Sequence, residues 1–452
     1  MIRIASAFAL AAALLAPGIA SAQSLLDQCV AQTCKARLTP EQLLGEVQTL
    51  IQAKRYDDAQ PLVAALSSVP QFKLESRFLS GQIAAAKGDH ARAASFYREI
   101  LADDPAQTRV RLELGREMLA LGKPQSADKQ FKIAEQDQDL PDDVARTIRA
   151  VRDVIRAKRA WRLDFDFGIA PDTNINNATS ADTITILWGN TPLPLTLDDK
   201  AKARSGTGQT ASISGGVRLP VSDKVAMLVD LDSAGTNYAG TDNDDFQLQV
   251  ASGAELRLSH DTSVSLEAVG AQRWYGGSLV SRQIGAKAGF QTSLSRREQV
   301  GVQIDMRHTE ALFDSSYNGW QGSAYATYER AISRSLIVSG GVFGRRDWLK
   351  AAPYSSTELG VIAGFGGELP KGITLGLSGS VSRAKFDAPM LLFSTDPRSD
   401  WRYTARATLG NRKIRVWGFS PQMSASWSRN DSSITYFGNN RLRFRFTLAR
   451  YF

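Results

Sequence analysis

Few residues in this chain of 452 have the type or spacing for covalent chemistry. His90, His260 and His308 are its only histidines, and Cys29 and Cys34 its only cysteines. The two cysteines lie close together and far from every histidine, so a metal site is disfavoured. A small local disulfide in an oxidising compartment is the alternative, closing a short loop and stabilising little. His260-Asp261 sits in a tight turn, where Asp commonly bonds its own backbone. His308 shares the parity of Val302 and Ile304, the apolar side of its segment, whereas a proton-transferring His would face a polar cleft. The sequence holds no phosphate loop, no Rossmann fingerprint and no Cys–His metal spacing. No catalytic residue, metal or cofactor is expected, and the chain does not read as an enzyme.

Two segments carry a different chemistry. The first is Ala170-Pro-Asp-Thr-Asn-Ile-Asn-Asn-Ala-Thr179. Asp and Asn side chains bond backbone groups two residues on and tolerate left-handed conformations, so this run reads as a folded cap, with Pro171, Asp172, Asn174 and Asn176 as its key positions. The second is the closing run Arg441-Leu-Arg-Phe-Arg-Phe-Thr-Leu-Ala-Arg-Tyr-Phe452. Leu442, Phe444, Phe446, Leu448 and Phe452 share one parity, while Arg441, Arg443, Arg445 and Thr447 share the other. Side chains alternate across a strand, so the segment has one apolar and one cationic face. The reading that follows is the last strand of an outer-membrane β-barrel. Phe444, Phe446 and Phe452 would face lipid as a C-terminal insertion signal, and Arg441, Arg443 and Arg445 would line a wet lumen.

The elements that must position these residues fall into two regions. From Trp161 onward the period is two: Val300, Val302, Ile304 and Met306 alternate with Gln299, Gln303, Asp305 and Arg307. Some fourteen such segments, give or take two, are long enough for a tilted crossing of a bilayer. Their links alternate in length. Short ones such as Ser259-His260-Asp261-Thr262, Ser295-Arg296-Arg297-Glu298 and Leu369-Pro370-Lys371-Gly372 take turns with longer ones near 169–204, 232–244, 309–316, 385–399 and 428–439, with shorter members near 276–280 and 349–354. Short periplasmic turns and long outside loops are the pattern of outer-membrane barrels. The tryptophans near segment ends suit an interfacial girdle, and the recurring lumen-parity charges suit a solvated interior of cross-strand ion pairs.

Residues 41–157 are helical by period and composition. Gly81, Ala93 and Tyr97 recur 34 residues on as Gly115, Ala127 and Phe131, and the turn Lys87-Gly88-Asp89 recurs as Leu121-Gly122-Lys123. Tyr56 and Ala59 align one unit earlier with His90 and Ala93. This is the tetratricopeptide pattern, in which small residues let paired helices approach and an aromatic fills the gap. A solenoid of roughly three helix pairs offers a groove for a partner, with Tyr56, His90, Arg77 and Arg111 as candidate groove residues. Ahead of it, Met1-Ile-Arg-Ile, an apolar run to Leu15 and Ala20-Ser21-Ala22 make a cleavable secretory signal. The expected organisation is a signal over 1–22, an N-terminal segment over 23–40 with Cys29 and Cys34, a periplasmic helical domain over 41–157 and a barrel over 160–452. No apolar run is long enough for a spanning helix. The formal net charge of +8 needs no nucleic-acid explanation.

Signal, short repeat array, Pro171-Asp172-Thr173-Asn174-Ile175-Asn176 at the barrel entrance and a fourteen-stranded C-terminal barrel together resemble the surface lipoprotein assembly modifiers, the Slam proteins of Gram-negative outer membranes. The resemblance implies a helical domain that captures a client in the periplasm, and a barrel that helps move it to the cell surface. It implies as clients surface lipoproteins or some soluble secreted proteins, with outer-membrane lipid and the barrel-assembly machinery as further partners, and no catalytic residue. A groove joined to a barrel also describes an exopolysaccharide export porin, whose anionic glycan would suit the Arg-lined last strand, or a passive porin or small-molecule transporter with an accessory domain.

Overall fold

The computed structural model describes residues 38–137, 139–158, 161–189, 191–414 and 419–449. The expected signal segment, Cys29 and Cys34 with their expected disulfide, Trp417 and the terminal Phe452 lie outside them. Seven α-helices appear among the described residues: α1 (Pro40–Gln52), α2 (Tyr56–Ser67), α3 (Lys73–Ala86), α4 (His90–Asp103), α5 (Thr108–Ala120), α6 (Pro124–Glu135) and α7 (Asp142–Lys158). They start where the sequence supplies caps. Thr39 and Gln42 form a reciprocal capping box ahead of α1, and the Asp89 side chain accepts from the Arg92 N–H at the start of α4. Gly88 and Gly122, one repeat apart, both turn the chain at positive φ (81° and 70°), a conformation that costs glycine nothing.

Strand follows strand from Trp161: β1 (Trp161–Asp172), β2 (Thr183–Trp188), β3 (Thr191–Thr196), β4 (Gly206–Pro220), β5 (Val225–Asn237), β6 (Asp245–Arg257), β7 (Thr262–Tyr275) and β8 (Ser278–Ser293). There follow β9 (Glu298–Ala311), β10 (Gly319–Ala331), β11 (Leu336–Leu349), β12 (Ser356–Glu368), β13 (Ile373–Pro389), β14 (Pro397–Asn411), β15 (Ser420–Ser432) and β16 (Asn439–Ala449). Fourteen of these, β1 and β4 through β16, close into one antiparallel barrel in which each strand pairs with its sequence neighbour and β1 meets β16. The expected count and architecture are those observed. The hairpin β2–β3 inside the first long link is not foreseen by link lengths; its two strands pair with each other, and the Leu187 N–H donates to the Leu392 carbonyl.

Alternation explains the wall. Ile284, Ile304, Leu359, Val361 and Phe446 stand exposed on the outside, whereas Glu267, Asp305, Glu358 and Asp400 are buried on the other parity. Several of the long links prove to be partly strand. β13 runs to Pro389 and β5 to Asn237, which leaves shorter loops than link lengths alone suggested.

The described residues form two compact units that part between Gly88 and Asp89. In the first, α1–α3 pack around Val47, Leu50, Ala59, Val63, Leu66, Leu79 and Ile83. In the second, α4–α7 belong with the barrel. The domain division expected at residues 157–160 marks the change of secondary structure there, and the compact units divide elsewhere. Within the hairpin α5–α6, a Cβ on Gly115 would stand 2.5 Å from the Phe131 ring, so the small residue and the aromatic of the repeat do meet.

Candidate functional site

The Asn-rich segment and the Arg-rich tail, 269 residues apart in sequence, form one cluster at the seam where the barrel closes. The Asp172 side chain, at the end of β1, is completely buried. Arg441 donates to both its oxygens, with Nη2 at 2.6 Å from Oδ2 and Nε at 3.1 Å from Oδ1. Asp172 also accepts from the Asn174 N–H at 2.9 Å and the Tyr238 hydroxyl at 3.2 Å, and Arg443 lies 3.7 Å away. A buried carboxylate is tolerable only with such partners. The next residues clasp β16 itself: the Thr173 N–H donates to the Leu442 carbonyl, the Leu442 N–H to the Thr173 hydroxyl, and the Asn174 amide to the Asn440 carbonyl. Asn176 ties the other flank, donating to the Lys202 carbonyl and accepting from the Arg204 N–H. The segment is a clasp that side chains build, which turn statistics alone do not indicate.

The lumen wall is more occupied than its parity suggested. Besides Arg441, Arg445 reaches Asp166 of β1 at 3.4 Å, and Arg443 donates to the Thr236 hydroxyl at 2.5 Å. Elsewhere Lys287 pairs with Glu267 at 3.0 Å, Arg307 with Asp305 at 2.6 Å, Arg218 with Glu255 at 3.2 Å, and Arg402 with Glu358 at 2.5 Å. Three of these are the cross-strand pairs that solvate a polar interior, and Arg307–Asp305 lies within β9. The three tail arginines face acids of β1, which removes the reason for reading them as a wall for an anionic glycan. Of the lipid-side positions, Phe446 is exposed and Phe444 half-buried.

A second cluster joins α4–α7 to the rim that carries the short turns. Three turns offer cations to acids and carbonyls of the helical segment, and the end of β12 offers an acid to a helical arginine. Arg296 pairs with Asp142 and donates to the Leu140 carbonyl, and Arg297 donates to the Gln136 carbonyl. Arg334 spans Asp137 (3.0 Å) and Asp139 (2.9 Å), and Lys413 pairs with Asp103. At the centre, Glu368 at the end of β12 lies between Arg111 of α5 (2.5 Å) and Arg412 (3.0 Å). Burial works against charge on Asp137, yet bonds from the Thr108 hydroxyl, the Asp139 N–H and Arg334 hold its carboxyl below the usual range. The signal for this cluster was present in the Arg and Lys of successive short turns, but a turn cation reads as ordinary solvation until an acid is seen opposite it.

Arg111 is thereby placed differently from the expectation. Only 1% exposed, it donates to the Pro105 carbonyl, Gln130 and Glu368, and so has no free face for a client groove. His90 is half-exposed and its Nδ1 lies 2.6 Å from Glu117. In the first unit, Tyr56 packs against the core and Arg77 is half-buried. His308 meets the Trp320 ring edge-on at 5.3 Å.

The chain resembles known proteins over most of its length. The family model described as surface lipoprotein assembly modifier matches residues 161–452. Surface lipoprotein assembly modifier 1 of Haemophilus influenzae is 20% identical over 377 residues, covering 81% of this chain and 75% of that protein. The protein of the same name from Neisseria meningitidis is 27% identical over 113 residues, covering 25% of this chain and 23% of its own. Among solved structures, the Yersinia enterocolitica type III secretion chaperone SycD with a peptide of the translocator YopD matches 26% of this chain and 92% of its own (TM-score 0.25, 19% identity). A Pseudomonas aeruginosa FadL homologue matches 65% of this chain and 91% of its own (TM-score 0.36, 9% identity).

Proposed function

Because the chain belongs to the surface lipoprotein assembly modifier family, we propose that it receives a lipoprotein client in the periplasm and promotes its delivery to the cell surface. The observation that carries this reading is the seating of α4–α7 on the short-turn rim. Short turns face the periplasm in outer-membrane barrels, so helices fixed there stand where a client arrives. The repeat hairpins supply the holding surface, as such arrays commonly do for peptides. The barrel supplies the route or the platform at the membrane. The proposed action on the client is binding, and the buried acids at the seam and the rim serve as structural ion pairs.

Deletion of the gene tests this. Candidate lipoproteins should still be made, with unchanged mass, but should become shielded from protease in intact cells. If every candidate stays as accessible as before, the assignment of function fails. A mass difference between clients from the two strains would argue instead for a covalent step.

A further inference from the structure

We propose that the seam between β1 and β16 is a lateral gate through which the acyl chains of a lipidated client reach the bilayer. The proposal rests on the functional reading above and concerns how that function is carried out.

Among the described residues, three strand pairs in the wall are interrupted, β7–β8 at Arg273 and Trp274, β13–β14 between Lys385 and Pro389, and β1–β16, and of these only the last joins the two ends of the barrel. β1 and β4 pair without a break from Trp161 and Val217 to Asp172 and Gly206. β15 and β16 pair from Ser420 and Ala449 to Asn430 and Asn439. Where both strands are described and face each other, β1 pairs with β16 at Gly168, Ile169 and Asp172. The same register would set Ala170 and Pro171 against Arg445 and Phe444, yet the ladder lapses there. Sequence supplies the reason: Pro171 has no N–H to donate, and proline is confined to strand edges and interruptions for that cause. A barrel strand with proline at this place faces a neighbour that it cannot fully pair.

Besides the pairs at Gly168, Ile169 and Asp172, contacts on both flanks of the gap hold the seam shut. Asp172, Thr173 and Asn174 bond Arg441, Leu442 and Asn440, and Arg445 reaches Asp166. A few contacts, most of them of side chains, are released more readily than a dozen backbone bonds that give way only as a ladder. Arg443 and Arg445 hold their acids less closely than Arg441 does, with Arg443 Nε 3.7 Å from Asp172 and Arg445 Nη2 3.4 Å from Asp166. On the lipid side the gap is edged by Phe165, Phe167, Ile169, Phe446 and Leu448, all exposed. A lipidated client presents the chemistry that needs such an opening. Its polypeptide is polar, while its acyl chains lose about 0.8 kcal/mol per methylene when removed from an apolar phase. A route through the wall keeps the chains in lipid while the polypeptide stays in the polar interior.

The experiment locks the seam in the full chain, in cells carrying an epitope-tagged lipoprotein whose display depends on the gene. Cys29→Ser and Cys34→Ser remove the native thiols. Ile169→Cys with Phe446→Cys, which are direct Cα partners, places a disulfide across the seam. Val361→Cys with Val381→Cys, partners in β12 and β13, places one elsewhere in the wall. Oxidation should cut display about tenfold in the seam variant, with recovery on reduction, and leave the control within about twofold. Pro171→Ala gives a second arm, because it restores the missing donor. It should lower display about threefold or more while the barrel still shows a heat-dependent gel shift. An oxidised seam variant that retains the gel shift and displays client at the reduced rate overturns the gate. So does Pro171→Ala with wild-type display. If deletion of the gene spares display of every lipoprotein tested, the proposed function falls and the gate with it. Deletion that abolishes display beside a harmless seam lock removes the gate alone.

Discussion

Replacing Glu368 by Gln tests how the helices are held on the barrel. Glu368 accepts from Arg111 Nη2 at 2.5 Å and faces Arg412 Nη1 at 3.0 Å, and the three side chains are 13%, 1% and 15% exposed. The Glu368→Gln change keeps the volume and one acceptor but removes the only negative charge of the triad. Two guanidiniums then remain in a site that water hardly reaches. Breaking a buried pair from one side costs about 3–5 kcal/mol, because the remaining charge stays desolvated. Arg111 keeps its bonds to the Pro105 carbonyl and Gln130, and Arg412 keeps one to the Leu101 carbonyl, so the lower end applies. A cost of roughly 3 kcal/mol corresponds to about a hundredfold shift in the equilibrium between seated and released helices. Hydrogen exchange of the α5 and α6 amides in the folded barrel reads that shift directly. Exchange in α4–α7 should accelerate by about that factor, while the β-ladder amides stay unchanged. If exchange in α5 and α6 changes less than about threefold, the triad does not hold the helices, and the argument from buried charge is wrong here.

Other consequences of the structure can be measured. The depressed carboxyl of Asp137 gives a sign for pH. Its contribution to seating is complete above the ordinary carboxylate value near 4 and is lost as pH falls through its lower folded value, so exchange protection of α6–α7 should hold at pH 5 and fail in stronger acid. Gly115→Val should destabilise the α5–α6 hairpin by about 1–3 kcal/mol, seen as a lower melting temperature, because its first side-chain atom would collide with Phe131. Asp172→Asn and Arg441→Ala should show strong coupling in a double-mutant cycle of barrel unfolding, about 1.5 kcal/mol or more, and additivity there would mean that the clasp is not an ion pair. Unheated protein should run faster than boiled protein on a denaturing gel, and equal mobilities would count against closure.

Much of this architecture was legible because it is local. Alternation in Val300–Met306, the turn residues between strands and the spacing of Gly115, Ala127 and Phe131 each depend on residues close in sequence, and strand or helix geometry turns such spacing into faces. The limits of that logic are visible at Arg111 and at the tail. Arg111 stands at a repeat position where a groove residue would be expected. Yet Glu368, 257 residues later, draws it into the rim. No periodicity carries that information.

The sequence by itself determined that the chain has a helical repeat region and a barrel, which residues face lipid, and that Pro171 through Asn176 would not be a slack loop. Only the tertiary structure decided what the segment holds. Closure brings β16 beside β1, and so puts Asp172 against Arg441 and Asn174 against Asn440. The physical reason is the range of the forces. Side-chain direction follows from backbone dihedrals within a few residues, whereas the partner of a buried charge is whichever opposite charge the closed barrel delivers.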